Sequence, residues 1–304
     1  MHVDIVVHGK SAANPELRAA VSAVRKQGHQ VVVWPTWEAG DGVRLAQLAV
    51  HQGADVVVAG GGDGTVNEVA TGLLTASVGA SARPSFGILP LGTANDLARS
   101  AAIPLDLTAA LEVVVSRPAT SIDVGRIGDR MFLNVATGGF GTQITVETPE
   151  NMKKALGAAA YLLTGLTRFT SISPVSASFR GPDFVWEGAF LVLAIGNGRQ
   201  AGGGQMLCKD AVISDGLLDV KILPVVPEQD FQSAALSFIR EGMAAVERIA
   251  VSTRLNRLEI EAEDDIFINL DGEPISGRRF LIEAMPGAIR MHLPEDCPLT
   301  VARG

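Results

Sequence analysis

A chain of 304 residues suggests about two domains. Its 47% hydrophobic and 19% charged residues allow a large core and exclude a disordered polymer. A net charge of -8 without a basic run excludes extended nucleic-acid binding, and two cysteines, Cys208 and Cys297, make neither a disulfide framework nor a metal cluster.

Met1 to Val7 lacks the positive n-region and cleavage site of a signal peptide, so a reduced, cytoplasmic setting is expected. Val3–Val7 reads as a first strand. Asn14-Pro15 is a helix start, with Asn14 as N-cap and Pro15 at the first helical position. That helix turns Leu17, Val21 and Val24 inward and stops near Gly28. Val31–Trp34 is a second strand, Thr36 follows in a loop, and 41–51 is a second helix. Asp55–Ala59 is a short β-branched run, the pattern of a buried parallel strand.

Next comes Gly60-Gly61-Gly62-Asp63-Gly64-Thr65-Val66-Asn67-Glu68. Apolar residues at 66, 69, 70, 73 and 74 keep helical spacing, so the glycines sit where a strand becomes a helix. Glycine there lets a ligand approach the main chain, and free N–H groups at a helix start favour a phosphate. Thr65 can cap the helix or donate to a phosphate oxygen. Asp63 would repel phosphates unless a cation lay between, which points to Mg²⁺ nearby. Alternating strands and helices predict a parallel sheet covered on both faces, with its ligand beyond the strands' carboxyl ends. Thr36 and 60–65 should share that edge.

Phe86–Pro90 is the next strand, and Leu91-Gly92-Thr93-Ala94-Asn95-Asp96 repeats the strand-to-helix turn, with Thr93 placed like Thr65. A helix over 108–115 ends before Pro118. From Ser121 the periodicity becomes alternation, with a hairpin turn at Gly128-Asp129. The domain boundary is placed there: residues 1–121 form the first domain and 122–292 the second. The tail from 293 to 304 is expected to return to the first.

Residues 150–169 read as a helix whose apolar core, 155–166, is too short to span a bilayer. Its basic ends and Tyr161 make it a candidate membrane contact. Strands follow at 175–179, 185–187 and 190–197, then a polar glycine loop over 196–205, a turn at Asp215-Gly216 and a helix over 229–246. Further strands are expected at 257–262, 265–270, 279–284 and 288–292. The fold class expected is an α/β nucleotide domain joined to an antiparallel β-sandwich.

GGDGTVNE followed by LPLGTANDLA resembles the paired signature of the diacylglycerol kinase superfamily, which includes sphingosine kinases. NAD kinases and phosphofructokinases share only the first word. In the second half ATGGFGT (136–142), IGNGRQAGGG (195–204), SDGLLDV (214–220) and LDGEP (270–274) all match YegS-type bacterial lipid kinases in order. The resemblance implies ATP held by Thr36, Gly62, Asp63, Gly64, Thr65, Val66, Asn67, Glu68 and Thr93. It implies Glu273 as catalytic base, with Asp271 dividing the labour beside it. It also implies a divalent ion, Mg²⁺ or another such as Ca²⁺, on the Val212 and Leu217 carbonyls and the Asp215 carboxylate. The activity implied is phosphorylation of a diacylglycerol-like or phosphatidylglycerol-like lipid, with only peripheral membrane contact. A kinase of a soluble alcohol or nucleotide, or a nucleotide-binding regulator without turnover, stays open.

Overall fold

The structure is a computed structural model. It describes residues 1–79, 83–139, 174–226 and 243–300, together with 229, 230, 237, 240 and 241. The first half runs β1 (His2–Val7), α1 (Pro15–Lys26), β2 (Gln30–Pro35), α2 (Asp41–His51), β3 (Val56–Gly61), α3 (Asp63–Thr75), β4 (Ser85–Pro90), α4 (Asp96–Ser100) and α5 (Leu107–Ser116). Asn14 caps α1, its side-chain oxygen accepting from Glu16 N (2.8 Å) and Leu17 N (3.2 Å), a bond worth about 1 kcal/mol. β1, β3 and β4 are buried from end to end save at His2, as a parallel sheet with helices on both faces requires. The order is β4-β3-β1-β2, every pair parallel.

The second half contains β5 (Ala119–Ile127), β6 (Arg130–Phe132), β7 (Val135–Gly139), β8 (Val175–Gly181), β9 (Phe184–Gly196), β10 (Gln200–Ala201), β11 (Gln205–Met206) and β12 (Leu218–Pro224). α6 (Met243–Ile249), β13 (Val251–Leu255), β14 (Arg257–Leu270) and β15 (Glu273–His292) complete it. These strands form an antiparallel β-sandwich. β9 pairs with β8 in its first half and with β7 in its second, and β14 likewise pairs with both, so the four strands close on themselves. Inside lie Phe179, Phe190, Leu193, Ile195, Ile260 and Ile268. The ring of Phe179 meets Phe190 edge-on at 5.4 Å between centroids.

Three pairs of expected strands are single strands here. Segments 185–187 and 190–197 fuse into β9, 257–262 and 265–270 into β14, and 279–284 and 288–292 into β15. The register of β14 against β15 shifts between Glu261 and Ile266, and that of β15 against β5 between Met285 and Ile289. A bulge breaks the alternation without ending the strand.

β15 joins the halves. It pairs antiparallel with β14 and β5, then meets β4 in parallel through Met291 and Phe86. Past it, Leu293, Cys297 and Leu299 pack into the first core with Ile122 and Ile289. The expected helix over 150–169 and the residues 140–142 of ATGGFGT lie outside the described residues, as does half of the helix expected over 229–246, whose described residues are helical.

Candidate active site

The two glycine turns meet backbone to backbone. A Cβ on Gly92 would strike Gly62 Cα, so that position admits no side chain, and one on Gly62 would press on Gly92 Cα at 3.3 Å. Leu91 N–H donates to Gly61 O (3.0 Å), and His8 N–H to Gly60 O (2.8 Å). Asn95, with φ 53°, folds its amide back onto Gly92 N and O, both at 2.9 Å. Gly64, in the first turn of α3, faces open space: nothing lies within 4 Å of where its Cβ would be.

Around this floor the expected site residues divide. Thr36 stands at the end of β2, and its hydroxyl accepts from Gly9 N (3.1 Å). Thr93 is exposed in the second turn. Thr65 backs onto Gly61 and is nearly buried. Val66 turns into the core, and its N–H closes on Gly62 O (3.0 Å). Glu68 reaches sideways to accept from Gly42 N (3.0 Å) at the start of α2. Asn67 points to the second half and donates to Met131 O (2.9 Å) and Asp271 Oδ2 (3.1 Å).

Three carboxylates tie the halves together. Asp63 accepts from Asp96 N (3.2 Å) and Leu97 N (3.3 Å) at the start of α4, and from Asn134 Nδ2 (3.4 Å). Asp96 crosses to Gly203 N (3.0 Å) and Gly204 N (2.7 Å), in a loop with positive φ at Gly202, Gly203 and Gly204. Asp271 accepts from Leu133 N (2.7 Å), Asn134 N (3.1 Å), Val135 N (3.2 Å) and Asn67. Burial pushes the Asp96 carboxyl above its ordinary range, against the pull of those two N–H groups. Burial, with Asp63 adding repulsion, pushes Asp271 to about 6 although four donors favour its charged form.

Asp271 (φ 49°) and Gly272 (φ 108°) are the two central residues of the β14–β15 turn, the type I′ geometry that favours Asp-Gly. All that Asp271 offers is spent on backbone and amide donors, which makes it a positioning residue. Glu273, the first residue of β15, is exposed and stands two positions after that anchor.

The SDGLL turn docks on β5 and β15. Asp123, buried on β5, accepts from Gly216 N (2.6 Å) and Gly287 N (2.8 Å), joining that turn to β15. Asp215 accepts from Leu217 N (3.0 Å) and pairs with Arg254 of β13, which also reaches Asp219 at 3.2 Å. A cation on Asp215, Val212 O and Leu217 O would compete with that guanidinium. No three His, Cys, Asp or Glu side chains cluster as a metal site among the described residues. At the cleft Asn134 turns its Nδ2 to Asp63, while its Oδ1, buried without a partner, lies beside Gly198; Asp63 is the oxygen donor there that suits a hard divalent cation.

Sequence reasoning missed Asn134, Asp123 and Arg254. No local word marks them, because their partners lie tens of residues away in the chain.

Two family models cover the chain. The diacylglycerol kinase catalytic domain matches residues 4–127. The YegS C-terminal NAD kinase beta sandwich-like domain matches residues 135–293. A protein of Xanthomonas oryzae described as a probable lipid kinase YegS-like is 49% identical over 304 residues, covering 98% of each chain. One of the same description from Pseudomonas aeruginosa is 50% identical over 295 residues, covering 97% of this chain and 95% of its own. A crystal structure described as a diacylglycerol kinase from Bacillus anthracis superposes with a TM-score of 0.72 at 23% identity, covering 97% of both chains, and speaks for the fold alone. With both family models in sequence order and relatives near half identity end to end, the chain belongs to the diacylglycerol kinase catalytic-domain family and carries the YegS-type C-terminal domain.

Proposed function

We propose that this protein is an ATP- and Mg²⁺-dependent kinase that transfers a phosphoryl group to a hydroxyl of a diacylglycerol-like or phosphatidylglycerol-like lipid. The observation that carries the reading is the docking of the β14–β15 turn, through Asp271, onto Asn67 of α3. It holds an exposed carboxylate, Glu273, at the junction with a glycine-lined strand-to-helix turn. The relatives described as probable lipid kinases support the acceptor class.

The chemistry follows from what each part offers. The backbone from Gly62 to Thr65 and the Thr93 turn cradle the phosphates, with open space above Gly64 for their approach. The acceptor hydroxyl oxygen attacks the γ-phosphorus, the bond from that phosphorus to the ADP oxygen breaks, and the hydroxyl proton passes to the Glu273 carboxylate. Mg²⁺ carried by ATP would supply charge neutralisation, and Asp63 is the carboxylate that would face it. Asp96 and Asp271 keep the glycine loop and the turn in place. The lipid is met at the membrane surface by peripheral contact; among the described residues no helix is long and apolar enough to cross a membrane.

The test is labelled ATP offered with micelles of diacylglycerol, with phosphatidylglycerol, and with soluble alcohols. Label should enter a lipid, and Glu273→Gln should bind ATP normally while turnover falls by about 10²–10⁴-fold. Label in a soluble alcohol alone would overturn the lipid assignment, and near-parent turnover in Glu273→Gln would overturn the base.

A further inference from the structure

Trp37 has the most exposed large apolar side chain among the described residues, at 95% of full accessibility. Tryptophan ordinarily buries most of its ring. The loop that carries it is braced. Trp37 N–H donates to Asp41 Oδ2 at 2.7 Å, Glu38 N–H donates to the same oxygen at 3.1 Å, and Arg44 pairs with the other oxygen at 2.6 Å. These partners, led by the Trp37 N–H, hold the Asp41 carboxyl down to about 2, so the brace stays charged at neutral pH. A well-held backbone therefore presents a bare indole to solvent.

Its place in the fold says what lies nearby. Trp37 follows Thr36 at the end of β2. In the order β4-β3-β1-β2, the glycine turns end β3 and β4, and β2 lies two strands beyond β3, about 10 Å away. The opposite flank is taken. There Asp96 holds the 202–204 loop, and the β14–β15 turn docks on Asn67. A nucleotide with its terminal phosphate toward those elements extends over the ends of β1 and β2. The surface there is low, because Gly9 has no side chain and packs against the Thr36 carbonyl.

We propose that Trp37 is the platform on which the purine base of the bound nucleotide stacks. The proposal rests on the nucleotide reading above and adds the residue that distinguishes a nucleotide from bare phosphates. Stacking needs only a π-face, so Trp37 favours nucleotides over inorganic polyphosphate without choosing between adenine and guanine.

Calorimetric titration of ATP and of tripolyphosphate into the parent, Trp37→Ala, Trp37→Phe and Gly64→Val tests it. Trp37→Ala should weaken ATP by roughly 5- to 150-fold, the range of aromatic–base stacking, and leave tripolyphosphate unchanged. Trp37→Phe should recover most of the loss. Unchanged ATP affinity in Trp37→Ala overturns the proposal, as does equal weakening of both ligands, which would report a collapsed loop. Loss of binding to anionic phosphatidylglycerol vesicles with ATP affinity intact would make Trp37 a membrane contact instead. Failure of the parent to bind either ligand, or full affinity in Gly64→Val, would sink the nucleotide reading itself.

Discussion

Asp271 is placed by its backbone and used by its side chain. Its φ of 49° lies in the left-handed region, where Asp and Asn are the non-glycine residues best tolerated. Asp271→Asn therefore keeps the turn and changes only the acceptor: one amide oxygen must serve donors that two carboxylate oxygens served, and an NH₂ group faces N–H groups. The expected cost is about 1–3 kcal/mol, the desolvation of unsatisfied buried donors. It should be read as a lower urea midpoint at unchanged m-value. Turnover should fall while ATP affinity holds, since Asp271 positions the acceptor side. Parent stability in Asp271→Asn would show that the four contacts to Leu133, Asn134, Val135 and Asn67 do not hold the turn. Only part of this was legible beforehand. Asp-Gly announces a hairpin turn, and the surrounding word announces the family, but the donors that spend the carboxylate come from a loop well over a hundred positions earlier in the chain.

At the scale of elements, the first half was the more readable. β1, β2 and β3 are short β-branched runs, Asn14 and Asp106 cap α1 and α5, and Gly28 and Gly53 follow α1 and α2, so local signals agree with tertiary ones. In the sandwich the long strands were read as pairs. Acidic Glu263, Asp264 and Asp265 interrupt β14 where its register shifts, and Pro286-Gly287 interrupt β15 at its own shift. Periodicity shows such a break but cannot tell a bulge from a strand end. The SDGLL turn shows the same limit for charge. Its sequence offers one carboxylate and two carbonyls, while the fold adds Arg254 from β13. Arg254→Ala should cost about 1 kcal/mol or less, as the pair is partly exposed, and it frees Asp215. If the turn takes a divalent ion, Mg²⁺ or Ca²⁺ should then raise the melting temperature of Arg254→Ala more than that of the parent. Chelator and metal leaving both proteins' melting curves alike would remove the ion from this turn, whatever the activity requires of the ion on ATP.

Over the whole molecule, β15 carries the strongest coupling, because one strand begins at Glu273 and ends against the first core. His292 closes it. Its Nδ1–H donates to Arg117 O (2.7 Å), so in the neutral ring Nε2 is bare and accepts from the Ser85 hydroxyl (2.8 Å), which also lies 3.3 Å from Asp55 O. The imidazole thus clamps the start of β4 to the segment entering β5. Burial lowers its pKa below the ordinary 6.5, with Arg290 adding repulsion and the Arg117 carbonyl pulling the other way. Two further charges stand at the residues this clamp joins: Arg117, paired to Glu295 at 2.7 Å, and Asp55, which accepts from His2 N at 2.7 Å. A lowered histidine pKa means the folded chain holds this proton less tightly than the unfolded chain. The clamp's contribution is therefore complete above about pH 6.5 and is lost as pH falls from there through the folded value, by up to about 1.4 kcal/mol per pH unit. His292→Gln keeps a donor for Arg117 O and removes the titration. Its melting temperature should fall less than the parent's between pH 7.5 and 5.5, and because the other titrating groups are common to both proteins, the difference between the two curves isolates this ring. Parallel curves would show that protonation of His292 is not felt where β15 returns to the first core.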